Sequence, residues 1–338
     1  MTKEKIDIII PWVDGNDPDW QKERDRASKQ YRINERANSN VRYESWDNLQ
    51  FVFRGIERCM PWVNHVFLVT YGHIPPFLNC ENEKLKIIKH EDYIPKQYLP
   101  TFNSNVIELN YHRIDELEEN FILFNDDCYP LKPISENYYF KNGLPCDEAV
   151  ESPIMPVNVG AISNYASYVK ANNILFINNH WNKREVQKKN WDKWYFEGYG
   201  ELLERNKGLH YWNNFAGFHD YHMPVPLKKS TLKKIWDVEP ELLDKVSHNQ
   251  FREYSDLSQC IVRYWQLCTG EFVPNKSIGK PYLVTIENCT EVAEAIRNKV
   301  SQMVCLTEDC TAIEFGEIKR QINQALNDVY TEKSSFEK

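Results

Sequence analysis

The stretch "ENFILFNDDCYPLKPI", residues 119–134, decides how this chain is read. Phe121 to Phe124 is a short apolar run, with charge before it and Pro130 and Pro133 after it, and it predicts a buried strand. Directly beyond it stand Asn125, Asp126 and Asp127. Adjacent carboxylates at the end of a core strand have no local partner. Either they cap a loop or helix, or they hold a ligand.

Reading outward gives this strand its company. Ile6 to Ile10 is a second apolar run, followed by the polar loop "WVDGNDPDW". Leu49, Val52, Phe53 and Ile56 recur at helical spacing and predict an amphipathic helix. "HVFLVTYG" and "KLKIIKH" read as strands, with "PPFL" between them as a turn into a short helix. "FNSNVIELNYHRIDELEEN" reads as one capped helix leading into the opening strand. Strands alternating with helices imply a mostly parallel sheet. In such sheets ligands sit beyond the carboxyl ends of the strands. Three polar clusters fall there: Asp14 to Asp17, Thr70 to His73, and Asn125 to Asp127.

The remainder divides by composition. Residues 1–150 form the α/β half just described, and 151–215 read as an inserted helical segment rich in Trp and Tyr. Its Trp181, Trp191, Trp194 and Tyr195 lie beside a run of Lys and Arg. They suit either a helical core or a surface for membrane or glycan. Residues 216–330 complete the domain and end in helices, and 331–338 read as a frayed tail.

Charge and cysteines exclude several classes. A net charge of −8 over 338 residues argues against nucleic acid, which needs a basic field. Ile8 to Ile10 ahead of Pro11 is too short for a signal-peptide core, and no apolar run approaches a bilayer span. Nine cysteines without a CxxC pair suggest reduced thiols in a cytosol, most of them simply core residues.

Chemistry-bearing residues gather in four places. Asp126 and Asp127 offer hard oxygens of the kind that hold Mg²⁺ or Mn²⁺ against a diphosphate. His219 and His222 stand close together before prolines, and His is the side chain matched to proton transfer near neutrality. Arg252 carries a fork suited to phosphate oxygens, although Glu253 and Asp256 are near enough in sequence to pair with it. Glu308 and Asp309 end another apolar run.

Taken in order, these segments resemble a known family. "IDIIIPWVDGNDPDW" resembles the first conserved region of the Stealth family of sugar-phosphate transferases. "RYESWDNLQFVFRGIERCMPWVNHVFLVTYGHIPPFL" and "LPTFNSNVIELNYHRIDELEENFILFNDDCYP" resemble its second. "HMPVPLKKSTL" through "FREYSDLSQ" is similar to the third, and "MVCLTED" to the fourth. In the fourth this chain reads Thr307, Glu308 and Asp309 where the family usually has Asn-Asp-Asp, so only Asp309 is carried over. The large insertions of the lysosomal-enzyme GlcNAc-1-phosphotransferase are absent, which matches the compact bacterial type.

The resemblance implies a GT-A-like α/β fold, a mostly parallel sheet flanked by helices. It implies transfer of a hexose-1-phosphate or N-acetylhexosamine-1-phosphate from a UDP-sugar to a glycan or lipid-linked oligosaccharide, releasing UMP, in capsule or exopolysaccharide synthesis. His222, Arg252, Glu108 and Asp127 are the expected catalytic residues. Trp12, Asp14, Asp17, Arg42, Arg54, Asn105 and Asn125 are expected to line the substrate pocket, and Asp126, Asp127 and Asp309 to hold Mg²⁺ or Mn²⁺. The expected location is the cytoplasm, with peripheral association at the inner face of a bacterial membrane left open. A glycosyltransferase releasing UDP, or a sugar-binding module without turnover, remains the alternative.

Overall fold

Ile6, Ile8, Ile9 and Ile10, interrupted only by Asp7, suit a strand packed on both faces. In the computed structural model, which describes residues 4–30, 46–155 and 160–338, they form β1 (Ile6–Pro11). Along the chain follow β2 (Val66–Thr70), β3 (Leu85–Lys89) and β4 (Asn120–Leu123). The short strands β5 (Cys128–Pro130), β6 (Phe140–Lys141) and β7 (Leu144–Asp147) come next. They are followed by β8 (Val225–Lys228), β9 (Val273–Pro274), β10 (Gly279–Val284) and β11 (Met303–Glu308). The central sheet has the order β3-β2-β1-β4-β8. Its first four strands are parallel, and β8 closes the edge antiparallel to β4. The expected mostly parallel α/β architecture is therefore present.

Alternation along the strands builds a core on each face. Ile8, Ile10, Ile122 and Phe124 pack with the helices Leu49–Cys59, Cys289–Arg297 and Ala312–Val329. Ile9, Phe121 and Leu123 face the helices Ser104–Leu109, Lys229–Val238 and Cys260–Thr269. Each such side chain stabilises by about 1.5–3 kcal/mol. Two unit charges 4 Å apart repel by about 4 kcal/mol at an effective dielectric of about 20. The buried strands thus readily offset the paired acids at their tip.

This strand order also places the ligand crevice. The chain runs outward from β1 to β2 and β3, then returns to the other side of β1 with β4. The β1–β4 boundary is a topological switch point, where the loops beyond the two strands diverge and leave a cleft. Asp14 follows one strand and Asp126 the other.

Three expectations change. The single helix expected over 102–120 is only Ser104–Leu109, followed by one 3₁₀ turn at Tyr111–Arg113. Its closing carbonyls are taken by side chains: Tyr93 donates to Ile107, Trp236 to Leu109 and Asn110 to Val106. These side chains satisfy carbonyls that the short helix leaves open at its end. The final residues do not fray: Phe336 is buried, and Leu78 bridges Glu337 where a short helix was expected. Within 151–215 lie the helices Gly160–His180, Lys183–Lys189, Trp191–Trp194 and Leu203–Leu209. Their aromatics divide between the two readings, Trp194 being fully buried and Trp191 half exposed. Among the described residues no helix is long and apolar enough to cross a membrane.

Candidate active site

The loop after β1 is shaped by its own carboxylates. Asp17 caps the helix Pro18–Ser28, accepting from the amides of Asp19 and Trp20 at 3.0 and 2.7 Å. The Asp14 amide donates to His73 Nε2 at 2.8 Å, joining this loop to the one after β2. Trp12 meets the His73 ring edge-on at 5.1 Å. Burial lowers the His73 pKa, which keeps its nitrogen free to accept. Trp12 is thereby held in the wall of the crevice, with Asp14 two residues further along the loop.

On the facing side, a loop carries Arg252 to the helix Ser104–Leu109. Arg252 Nη2 donates to Ser104 Oγ at 3.0 Å. The loop stands on Asp256, which is fully buried. Asp256 accepts from Asn103 (2.9 Å), Tyr165 (2.6 Å), Asn249 (2.7 Å) and the Glu253 amide (3.0 Å). A buried carboxylate is tolerable only when so satisfied. Glu108, one helical turn beyond Ser104, is pushed up to about 7 by burial, against the pull of the Arg252 charge.

The third side is the tip of β4 itself. Desolvation, then the charges of Asp127 and Glu308, push Asp126 up to about 7. Asp126 still reaches solvent, so repulsion from its neighbours is the part that persists when water fills the cleft. Burial also raises Asp127, opposed by His222 and by thiol hydrogen bonds. His222 Nε2 lies 4.0 Å from Asp127 Oδ2. The His222 backbone has φ of +47°, uncommon for a residue with a Cβ. Its amide is held there by Asp220 Oδ1 at 3.1 Å.

These pieces form two adjoining pockets. One, of about 290 Å³, is lined by Trp12, Trp20, Phe102, Glu108, Asp126 and Arg252 among others. The second, of about 140 Å³, includes Asp220, His222 and Arg263. Asn125 lines both. The arrangement can grip phosphate with Arg252, accept protons at Glu108 or His222, and offer hard oxygens to a cation.

The raised Asp126 gives a stability test. A carboxyl held above its unfolded value of 3.8 by the charges of Asp127 and Glu308 penalises the native state increasingly as pH climbs past 3.8. Asp126→Asn is therefore expected to raise Tm at about pH 8 in metal-free buffer and to leave it unchanged at about pH 4. Calorimetry at the two pH values checks this, and an equal shift at both would remove the electrostatic account.

Several expected site residues lie elsewhere. Arg42 falls outside the described residues. Arg54 lines neither of these two pockets: it pairs with Glu337 at 2.7 Å and donates to the Tyr330 carbonyl, clasping the C-terminal segment. Asn105 is buried, bonded to Tyr165 OH at 2.6 Å, and supports the Asp256 network. Asp309 is exposed, and its amide bonds the Val284 carbonyl. Glu308 is the acid of that strand whose charge reaches Asp126, and it accepts from Trp46 Nε1 at 3.2 Å. Asp17 serves first as a helix cap. Sequence reasoning missed the support given by His73, Asp256, Cys128 and Cys305. Of these, His73 lay in the polar cluster after the second strand and Asp256 among the acids close to Arg252, whereas the two cysteines gave no signal.

Comparison with known proteins adds an independent line. A family model described as Stealth protein CR1, conserved region 1, matches residues 4–32, and one for CR2, conserved region 2, matches residues 42–147. The chain is 34% identical to a capsular polysaccharide phosphotransferase WcwK of Streptococcus pneumoniae, covering 99% of this chain and 98% of that protein. It is 32% identical to the exopolysaccharide phosphotransferase cps2G of Lactiplantibacillus plantarum, covering 98% and 96%. It is 31% identical to the receptor polysaccharide phosphotransferase WefC of Streptococcus oralis, covering 98% and 99%.

Proposed function

The chain belongs to the Stealth family, and from that premise we propose that it is a polysaccharide phosphotransferase moving a sugar-1-phosphate from a UDP-sugar onto a glycan hydroxyl. The observation that carries this reading is the crevice at the β1–β4 boundary. Glu108, Asp126 and Arg252 line one pocket there, and Asn125 joins it to the pocket of His222.

The acceptor oxygen bonds to the β-phosphorus of the donor as the bond from that phosphorus to the bridging oxygen breaks. UMP leaves with the bridging oxygen, and the sugar keeps its phosphate. Arg252, fixed by Ser104, faces the charge that spreads over the equatorial oxygens. His222 takes the hydroxyl proton, its ring oriented by Asp127. Glu108, with a pKa of about 7, is the second group able to accept that proton. Asp126 and Asp127, with Glu308 near them, are an all-oxygen donor set that suits Mg²⁺ or Mn²⁺, and their mutual repulsion is what a cation would relieve. A bound cation supplies charge neutralisation on the diphosphate. The aromatic walls Trp12, Trp20 and Phe102 suit the base and sugar of a nucleotide.

One assay tests the reading. Incubated with UDP-sugars, Mg²⁺ and a glycan acceptor, the enzyme is expected to release UMP and leave a phosphodiester signal in the phosphorus NMR spectrum of the product. Excess chelator is expected to stop it. Release of UDP with a phosphorus-free glycan would show attack at the anomeric carbon and overturn the assignment.

A further inference from the structure

Cys128 and Cys305 take no part in the transfer described above, yet both lie directly against its central acid. β5 and β11 run antiparallel with Cys305 opposite Cys128. The Leu306 amide donates to the Asp127 carbonyl at 3.1 Å. The two cysteines therefore form a non-hydrogen-bonded pair, the kind whose facing side chains come closest. Neither is solvent-exposed. Both thiols donate to one oxygen, Asp127 Oδ1, Cys305 at 3.3 Å and Cys128 at 3.5 Å. One ligating atom from each of the three residues lies within 4.8 Å of the others. On the open side of the same carboxylate stands His222 Nε2, 4.0 Å from Oδ2.

We propose that Asp127, Cys128, Cys305 and His222 form a site for a thiophilic divalent cation, Zn²⁺ or Cd²⁺, and that filling it switches the transferase off. Tetrahedral Zn²⁺ with bonds of about 2.0–2.3 Å sets its ligand atoms about 3.3–3.8 Å apart. The two thiol–carboxylate distances, both to Oδ1, already fall in that range. His222 Nε2 lies 4.0 Å from the other oxygen, Oδ2, outside the three-residue cluster, and completes the site by a side-chain rotation. Two sulfurs, an imidazole and one carboxylate are a donor set for zinc, and hard Mg²⁺ has no use for the sulfurs. Entry is from the cleft through Asp127 and His222. Each thiol forms a metal–sulfur bond as its S–H bond breaks, and the protons pass to solvent. Inhibition rests on the reading that Asp127 and His222 serve the reaction, because the bound ion occupies both.

The test is a titration of the full chain, stripped of metal, with Cd²⁺ alone. An ultraviolet cadmium–thiolate charge-transfer band is expected to saturate at one equivalent, to bleach on adding Zn²⁺, and to vanish in Cys128→Ser/Cys305→Ser. In assays with Mg²⁺ present, each protein is compared with and without Zn²⁺. The Zn²⁺ concentration that halves activity is expected to rise about tenfold or more in the double variant. Should that variant not fold, Cys305→Ala alone is expected to lose the band. Absence of the band in the wild type, or an equal band in the variants carried by other cysteines such as exposed Cys80, overturns the site. A band without UMP formation upholds the site and sinks the phosphotransfer reading. UMP formation without a band does the reverse.

Discussion

Asp127→Asn is expected to lower transfer by about a thousandfold, at the upper end of what removal of one transition-state group costs, while leaving Tm unchanged or higher. The two halves of this expectation have separate causes. The amide keeps the shape of the carboxylate, and its oxygen can still accept from the thiols of Cys305 and Cys128. What disappears is the negative charge that orients His222 and that a divalent cation requires. Burial raises the Asp127 carboxyl in the folded protein, so its ionised form penalises the native state once pH passes the ordinary carboxylate range. The neutral amide removes that penalty. Activity measured beside a thermal melt at about pH 8 checks both halves. A variant that unfolds would assign Asp127 to capping and not to chemistry.

Arg252→Lys is expected to cost about a hundredfold, mostly in kcat. Lysine keeps the charge but loses the planar fork, and a single ammonium cannot reach both Ser104 and two phosphoryl oxygens. Donor binding at saturation is expected to change less, because the guanidinium meets its full complement of charge only as the phosphoryl group moves. Steady-state kinetics over donor concentration separate the two effects. Near-normal kcat in the lysine variant would reduce Arg252 to a helper of the neighbouring acid Glu108.

What the sequence made legible and what it hid follow from the range of the interactions. β1, β2 and β4 were readable because each is a mostly apolar run ended by polar punctuation, a property of a few adjacent residues. Asp126 and Asp127 were readable as the polar tip of such a run. Arg54 lies on an amphipathic helix, and its partner Glu337, 283 residues away, is invisible to any local pattern. The partners of Asn105 are hidden in the same way: Tyr165 and Asp256 reach it from distant segments. Glu308 and Asp309 show how little separates an acid whose charge reaches Asp126 from one that faces solvent. At a strand end one residue exchanges the two faces, and no local pattern fixes which acid turns inward. The pairing of Cys305 with Cys128 depends on the register of β11 against β5, which single-sequence periodicity does not encode.

The anchoring of the Arg252 loop has a bearing on how sharply this enzyme can aim. A surface loop ordinarily samples many shapes on the nanosecond scale, and an arginine on such a loop would sweep through a volume larger than the group it must meet. Here the Glu253 amide, the neighbour of that arginine, is tied to a buried carboxylate that also gathers Asn103, Tyr165 and Asn249. To wander, the loop must break several bonds to a charge that has no water to turn to. Its departures are then rare, cooperative openings rather than continuous drift. Hydrogen–deuterium exchange at the single Glu253 amide therefore keeps time for the arginine, counting how often it leaves its post while the rest of the sheet stays closed.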